Sequence, residues 1–221
     1  MTNLELVIFD CDGVLVDSEI LTNTIFVNLL AEDGLHFSLN EFMEEFVGHT
    51  VIEAKRKMLE QYQYQLTDEF VSKFYSAILE ELALSLEPIP GIHEAIDKLR
   101  VPFCMASNGA LEKIEVMLKK TNLLDKFKGK MFPASLVANP KPAPDVYLLA
   151  AKTNSTLPVN CLVIEDTFVG VTAAVSAGMT VFGFAAASNP KLLMEAGAKL
   201  TFSNMAELED LIKEHFEVSI Y

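Results

Sequence analysis

Uninterrupted apolar runs and amphipathic stretches alternate along most of the chain. The runs Leu6–Phe9 and 161–164 lack polar alternation, which is typical of strands buried on both faces of a parallel sheet. Further strands are predicted at 102–107, 131–135 and 179–184, with helical patterns between them. Because strands joined by intervening helices form parallel sheets, the pattern predicts an α/β fold with a doubly wound parallel sheet.

One long interruption separates the first predicted strand from the others. Residues 18–86 carry no strand-like run. They contain four helical patterns instead, at about Glu19–Glu32, Leu39–Phe46, Val51–Tyr62 and 68–86. Ser38, followed three residues later by Glu41, fits a capping box, and Thr67 is a plausible N-cap for the last helix.

The segment Pro88-Ile-Pro-Gly91 ends this helical stretch with a stiff connector that suits a domain boundary. We therefore predict a doubly wound, Rossmann-like core of residues 1–15 and 88–221. An all-helical cap domain of residues 16–87 is inserted into it. At 221 residues, the chain is long enough for a substantial core.

The composition restricts the partners. A formal net charge of −14 argues against nucleic acid and acidic membranes, because both need clustered lysine and arginine. No apolar run approaches the ~20 residues of a membrane span. The N-terminus lacks a basic region, so we expect no signal peptide and a cytoplasmic location. Cys11, Cys104 and Cys161 lie in apolar runs without a paired motif, and we expect buried, reduced thiols.

Two aspartates follow the first predicted strand. Asp10 and Asp12 fall where the strand should end, and Gly13 lets the chain turn away. Ligands in open α/β sheets bind at the carboxyl ends of strands. Two carboxylates there repel each other unless a cation lies between them, which favours a magnesium site. Taken alone, the motif is equally consistent with a polar exit from the strand.

Two other predicted strands also end in polar residues. One ends at Ser107-Asn108-Gly109, and another is followed by Glu165-Asp166. Lys141 lies between them in sequence, bracketed by two prolines. Parallel strands place all these ends at one edge, so a single pocket can collect them. Taken singly, the first motif fits a turn, Glu165-Asp166 fits a helix cap, and a lysine fits a solvated surface.

Four motifs occur in a specific order: D-x-D-G-V-L-V-D-S-E, S-N-G, K-P-A-P-D and E-D-T-x-x-G-V-x-A-A-x-x-A-G-M. In this order they resemble the haloacid dehalogenase-like hydrolase superfamily, over the whole chain. Within the superfamily, the chain is most similar to the helical-cap sugar-phosphate phosphatases and the β-phosphoglucomutases. Its F-D-C-D-G and S-N-G variants are similar to those of the 6-phosphogluconate phosphatases.

The resemblance implies a role for each motif residue. Asp10 is the expected nucleophile, which forms an aspartyl-phosphate, and Asp12 is the expected general acid and base. Ser107 and Asn108 are expected to donate hydrogen bonds to the phosphoryl group. Lys141 is expected to neutralise negative charge on Asp10 and on that group.

The resemblance also implies a magnesium ion as cofactor. Its expected ligands are the carboxylates of Asp10 and Asp166 and the backbone carbonyl of Asp12. Glu165 is a possible further ligand, either directly or through water. The ion would offset repulsion between the nucleophile and the phosphoryl oxygens.

The expected function is therefore a magnesium-dependent phosphatase of a small phosphorylated metabolite, in particular a sugar phosphate. One alternative is a hexose-phosphate mutase similar to β-phosphoglucomutase, and another is a non-catalytic metabolite-binding protein. The loop Val47-Gly48-His49-Thr50 matches the family's specificity loop, with His49 as a candidate substrate contact. Val51 replaces the arginine with which the mutases bind a second phosphate, which weakens that alternative. Lys55 and Arg56, one helical turn further on, are candidates to take the place of that arginine. We expect a monomer or weak dimer.

Overall fold

The computed structural model describes residues 2–46 and 51–217, and the chain divides into two compact units. The larger unit contains the residues up to Asp17 and those from Glu87 onward. The smaller unit is Ser18–Leu86. Across the described residues, every helix is too short or too polar to cross a membrane.

The larger unit is built on a parallel β-sheet. Its sheet order is β4-β3-β2-β5-β6-β7, and a separate parallel pair joins β1 to β8. The strands are β1 (Thr2–Asn3), β2 (Leu6–Phe9), β3 (Phe103–Ser107), β4 (Met131–Pro133), β5 (Cys161–Glu165), β6 (Thr180–Phe184), β7 (Leu200–Phe202) and β8 (Phe216–Glu217). Val7 in the middle of the sheet is paired with both Phe103 and Leu162. The predicted doubly wound parallel sheet is confirmed.

The smaller unit is helical throughout its described part. It contains α1 (Glu19–Glu32), α2 (Leu39–Phe46), α3 (Val51–Tyr62) and α4 (Asp68–Ser85). The ring of Phe26 is the centre of its core, with the rings of Phe42, Phe70 and Phe74 at centroid distances of 5.1, 5.2 and 4.8 Å. The loop Val47-Gly48-His49-Thr50 and the side chain of Val51 lie outside the described residues.

Both predicted N-caps of this unit are confirmed. The Ser38 amide donates to Glu41 Oε2 at 2.9 Å, and the Glu41 amide donates back to Ser38 Oγ at 3.3 Å. This reciprocal pair is the capping box. Thr67 accepts a hydrogen bond from the Phe70 amide at 3.1 Å and caps α4. Local sequence therefore fixes where α2 and α4 begin.

Helices of the larger unit cover both faces of the sheet. They are α5 (Ile92–Lys98), α6 (Leu111–Lys120), α7 (Leu124–Phe127), α8 (Asp145–Thr153), α9 (Phe168–Ser176), α10 (Pro190–Glu195) and α11 (Leu208–His215). Successive strand residues point to opposite faces. On one face, α8 and α9 bury residues such as Ile8, Cys104 and Val163. On the other, the ring of Phe9 meets that of Phe127 in α7 at 6.3 Å.

Three details depart from or complete the sequence predictions. The predicted strand 131–135 ends at Pro133, where a 3₁₀ turn begins, because proline has no N–H with which to extend the ladder of an edge strand. The β1–β8 pair was not predicted, since two residues carry no periodic pattern. Cys11, Cys104 and Cys161 are free and buried, as expected.

Candidate active site

Three adjacent strands of the sheet bring the candidate residues to one edge. Ser107 is the last residue of β3 and Glu165 is the last residue of β5, on either side of β2. Asp10 follows β2, and its amide still donates to the Ile164 carbonyl at 3.0 Å. The nucleophile predicted from sequence is thus held in place by the ladder itself.

Lys141 lies beside Asp10 in the buried part of this edge. Its ammonium donates to Asp10 Oδ1 at 2.5 Å, to Glu165 Oε1 at 2.8 Å and to the carbonyl of Ala106 at 2.9 Å. A lysine has three N–H donors, so the protein uses all of them. The contact places a positive charge beside Asp10. A hydrogen bond from Lys141 to a phosphoryl oxygen would require one of these three to open, and that role stays a prediction.

Burial and charge act against each other in this pair. Burial raises the pKa of the Asp10 carboxyl to about 7, although the Lys141 ammonium acts in the opposite direction. For Lys141, burial disfavours the charged form, but Asp10 and Glu165 outweigh it and hold the pKa of Lys141 well above its ordinary range. The ionised form of Asp10 therefore depends on positive charge close to it.

Glu165 has a partner at every position of its carboxylate. Oε1 accepts from Lys141 and from the Tyr147 hydroxyl at 3.0 Å, and Oε2 accepts from the amide and hydroxyl of Thr167, both at 2.9 Å. A Cβ on Gly170 would lie 1.6 Å from Oε1, so only glycine fits beside this carboxylate. Four hydrogen bonds make Glu165 a support for Lys141.

The residue that caps the helix after β5 is neither Glu165 nor Asp166, the two residues that the sequence suggested for this cap. Thr167 caps α9, since its hydroxyl accepts from the Gly170 amide at 3.0 Å. Glu165 and Asp166 are thereby available for other roles. The hydroxyl of Tyr147 was not anticipated. The sequence signal for it was a tyrosine within the apolar stretch of α8, because a buried tyrosine hydroxyl needs a hydrogen-bond partner.

Three carboxylates form the candidate metal site. Asp10, Glu165 and Asp166 each offer an oxygen, and these oxygens lie within 4.8 Å of one another. Gly13 has φ +77°, and a Cβ there would lie 2.0 Å from Asp166 Oδ2. The backbone after β2 therefore passes directly under the Asp166 carboxylate. A set of carboxylate oxygens suits a hard cation such as Mg²⁺.

Asp12 belongs to a more open part of the site. It lies in the turn after β2, where the Gly13 amide donates to the Val16 carbonyl at 2.9 Å. Its Oδ1 accepts from the Lys113 ammonium at 2.8 Å. Lys113 was not predicted from the sequence, because a lysine on an amphipathic helix looks like a solvated residue. Its place in the first turn of α6, against the helix dipole, was the available signal.

Ser107 and Asn108 have structural partners in addition to their predicted role. Ser107 Oγ accepts from the Gly109 amide at 3.0 Å. The Asn108 amide donates to the Lys141 carbonyl at 3.1 Å, and the Lys141 amide donates to Asn108 Oδ1 at 3.0 Å. Asn108 thus fixes the backbone of the lysine that contacts Asp10. Donation to a phosphoryl group stays a prediction for both residues.

Cys11 does not compete with its acidic neighbours. The thiol of Cys11, which lies between Asp10 and Asp12 in the sequence, is buried. Burial raises the pKa of this thiol well above its ordinary range. Because the thiolate is the nucleophilic and metal-binding form, a protonated Cys11 is inert here.

Comparison with known proteins gives one family. The family model described as haloacid dehalogenase-like hydrolase matches residues 7–184. The chain is 30% identical to the 6-phosphogluconate phosphatase of Escherichia coli (strain K12) over 214 residues, which is 96% of each chain.

Solved structures match over at least 95% of the chain. A conserved haloacid dehalogenase-like protein of unknown function from Agrobacterium tumefaciens has a TM-score of 0.90 and 32% identity, and the match covers 96% of this chain and 98% of that one. A haloacid dehalogenase family hydrolase from Deinococcus radiodurans, with bound phosphate and sodium, has a TM-score of 0.85 and 29% identity, with 95% and 96% covered.

Proposed function

The chain belongs to the haloacid dehalogenase-like hydrolases and is a phosphoric monoester hydrolase, and from this premise we propose a magnesium-dependent phosphatase of small phosphorylated sugars. The proposed reaction transfers the phosphoryl group first to Asp10 and then to water. The observation that carries the proposal is the pairing of Asp10 with the buried ammonium of Lys141 at 2.5 Å, beside a cluster of further carboxylates.

In the first step, a carboxylate oxygen of Asp10 attacks phosphorus in line with the leaving oxygen. The new bond joins the Asp10 oxygen to phosphorus, and the bond from phosphorus to the sugar oxygen breaks. Asp12 gives its proton to that oxygen, so the sugar leaves as an alcohol. General-acid help of this kind contributes about 10²–10⁴-fold in rate. Lys141 holds Asp10 in its attacking position.

In the second step, water attacks phosphorus of the aspartyl-phosphate. Asp12, now ionised, takes a proton from this water, and the bond from phosphorus to the Asp10 oxygen breaks. Inorganic phosphate is released and Asp10 is again a carboxylate. The proton that Asp12 lost in the first step is thereby recovered, so the cycle consumes only water.

The donor set at this edge fits a magnesium ion. The carboxylates of Asp10 and Asp166 and the backbone carbonyl of Asp12 would hold it, whereas Glu165 already accepts four hydrogen bonds. When bound, magnesium supplies positive charge that lowers the cost of bringing a phosphate dianion to the Asp10 carboxylate.

A sugar phosphate is the proposed substrate class. The Escherichia coli relative is a 6-phosphogluconate phosphatase, and this supports a phosphorylated sugar or sugar acid. We further propose that the helical unit acts as a cap that selects the substrate, as such units do when they exclude water from a site. Val51, where the mutases have an arginine, supports hydrolysis over transfer to a second sugar position.

Release of phosphate from 4-nitrophenyl phosphate and from a panel of sugar phosphates tests the reaction. We expect turnover with Mg²⁺, loss of turnover in excess EDTA, and recovery when Mg²⁺ is restored. Asp10→Asn should lower kcat by at least about 10⁴-fold, since loss of a nucleophile removes the chemical route itself. Asp210→Asn, an exposed aspartate on α11, is the matched control and should retain activity.

Two further readouts separate the competing functions. Acid-quenched enzyme should carry one phosphoryl group on the peptide that contains Asp10, detected by mass spectrometry. If a hexose 1-phosphate with its bisphosphate is isomerised faster than phosphate is released, the protein is a mutase. Binding without turnover across the whole panel would indicate a metabolite-binding protein and would end the phosphatase proposal.

A further inference from the structure

A second lysine reaches the candidate site from α6. Lys113 lies in the first turn of this helix, and its ammonium donates to Asp12 Oδ1 at 2.8 Å. The two residues are 101 positions apart in sequence, so the contact is made by the tertiary fold alone. Both side chains are partly exposed. None of the roles assigned above uses Lys113.

The position of Lys113 is unfavourable for the helix by itself. The N-terminal turn of a helix carries partial positive charge, and a lysine there is repelled by it. The first turn therefore disfavours this ammonium unless a specific anion meets it. Asp12 supplies that anion.

The carboxylate of Asp12 needs an orienting partner more than that of Asp10 does. Asp10 is next to a strand and is buried against Lys141, whereas Asp12 lies in the following turn and faces solvent in part. A partly exposed carboxylate rotates about its terminal torsion, which is broad for aspartate. Lys141 cannot restrain Asp12, because its three N–H donors are used on other partners.

We propose that Lys113 is a positioning residue for Asp12 in the phosphatase reaction. Its ammonium holds Oδ1 and so fixes the orientation in which the Asp12 carboxyl gives a proton to the leaving alcohol and later takes one from water. This proposal rests on the proposed function, in which Asp12 is the general acid and base. Its physical basis is orientation, since a correctly placed group avoids the entropy cost of finding its geometry during the reaction.

The test compares two leaving groups by kcat/KM, which reports the transfer to Asp10. Nitrophenolate is a stable anion that leaves without protonation, whereas a sugar alkoxide needs a proton. Lys113→Met should lower kcat/KM by about 10–100-fold for a sugar phosphate and by less than about threefold for 4-nitrophenyl phosphate. Lys113→Arg keeps a donor at this position and should recover most of the loss.

Lys119→Met is the matched control, since Lys119 is an exposed lysine of the same helix. It should leave both values unchanged. Thermal melting shows whether each variant is folded. If Lys113→Met does not fold, Lys113→Gln, which keeps a polar side chain, carries the same comparison with Lys113→Arg.

A double-mutant cycle with Asp12→Asn decides the route of the effect. If Lys113 acts through Asp12, the Lys113→Met change should cost nothing further in the Asp12→Asn background. Equal losses for both leaving groups, no loss at all, or a loss that persists without Asp12 would each overturn the proposal.

The same experiment keeps the two hypotheses apart. If Asp12→Asn slows only the sugar phosphate while Lys113→Met changes nothing, the positioning proposal fails and the phosphatase mechanism stands. If Asp12→Asn leaves both substrates unchanged, the acid role of Asp12 fails, and the proposal for Lys113 fails with it.

Discussion

Two lysine–aspartate pairs lie at the same sheet edge and differ in their surroundings. In the inner pair, the side chains of Lys141 and Asp10 are 4% and 10% exposed. In the outer pair, those of Lys113 and Asp12 are 29% and 34% exposed. The inner distance is 2.5 Å and the outer distance is 2.8 Å. The contacts are alike in chemistry, yet water reaches only one of them.

The difference shows how burial determines the contribution of a charged pair to stability. Removing one partner from a buried pair leaves a charge without compensation, which costs about 3–5 kcal/mol. An exposed pair contributes about 0–1 kcal/mol, because water and salt replace the lost partner. The inner pair is thus part of the fold as well as of the site. The outer pair contributes to the site without being needed for the stability of the fold.

The largest expected effect comes from removing the inner cation. Lys141→Met should lower the free energy of unfolding by about 3–5 kcal/mol, since Asp10 and Glu165 would remain buried without a positive charge. It should also lower kcat by at least about 100-fold, the effect of losing one preorganised charge. Chemical denaturation at neutral pH and phosphate-release kinetics measure the two effects.

Lys113→Met, in the outer pair, is compared with Lys141→Met in the same denaturation experiment. It should lower the free energy of unfolding by less than about 1 kcal/mol. Equal destabilisation by the two substitutions would contradict the distinction between the pairs. Lys119→Met reports the effect of replacing a lysine that belongs to neither pair.

The next effect concerns the pH dependence of stability without metal. Because burial raises the pKa of Asp10 from 3.8 to about 7, the folded protein keeps a proton that the unfolded chain has lost between these pH values. The contribution of Asp10 to stability therefore falls as pH rises through this window. Asp10→Asn removes this fall. In EDTA, its unfolding free energy relative to wild type should increase from pH 4.5 to pH 8.

The size of that increase is at most a few kcal/mol, since one pKa unit corresponds to about 1.4 kcal/mol. Denaturant titrations across the pH range measure it. A difference that stays constant with pH would mean that Asp10 is ionised throughout, with Lys141 fully offsetting burial. Asp210→Asn, at an exposed aspartate, should show no such trend.

A smaller effect isolates the support behind the inner pair. Tyr147→Phe removes one of the two donors to Glu165 Oε1 and keeps the buried ring, whose centroid lies 4.7 Å from the Lys141 ammonium. We expect a loss of about 1–2 kcal/mol of stability, the cost of leaving a buried acceptor short of a partner. Thermal or chemical unfolding measures it, with Tyr75→Phe, an exposed tyrosine, as control. A neutral result would show that Lys141 alone satisfies Oε1.

The smallest effect distinguishes the pairs by salt. At about 1 M NaCl the screening length falls to about 3 Å, so the small stability cost of Lys113→Met should disappear. The cost of Lys141→Met should persist, because ions do not reach a buried pair. Unfolding curves at low and high salt test this, and a salt-sensitive cost for Lys141→Met would place water at the inner pair.

Much of this architecture is predictable because apolar spacing dictates it. Strands such as Leu6–Phe9 are apolar on both faces, and α2 and α4 begin at caps that are legible in the sequence. Strand ends in a parallel sheet share one edge, which was enough to bring Asp10 and Glu165 together. The positions of Asp10 and Glu165 at one edge of the sheet could therefore be predicted from the sequence.

The remaining features depend on contacts between distant parts of the chain. Lys113 meets Asp12 only because α6 follows β3, the neighbour of β2, and nothing local marks it apart from its helix turn. Tyr147 looks like one more apolar residue of α8 until its hydroxyl is placed. Side-chain partners across elements require the register of the sheet, which a single sequence does not contain.

The central place of β2 in the sheet also determines when its pairing can be completed during synthesis. Its partners in β3 and β5 are synthesised roughly 100 and 150 residues later, which at about 5–20 residues per second means delays of roughly 5–20 s and 8–30 s. Until β3 and β5 are synthesised, β2 is an apolar strand without paired neighbours. Such strands bind chaperones and are prone to aggregation. Asp10 is synthesised 131 residues before Lys141, its partner in the buried pair. A nascent chain therefore carries the Asp10 carboxylate long before it carries the ammonium that compensates its charge.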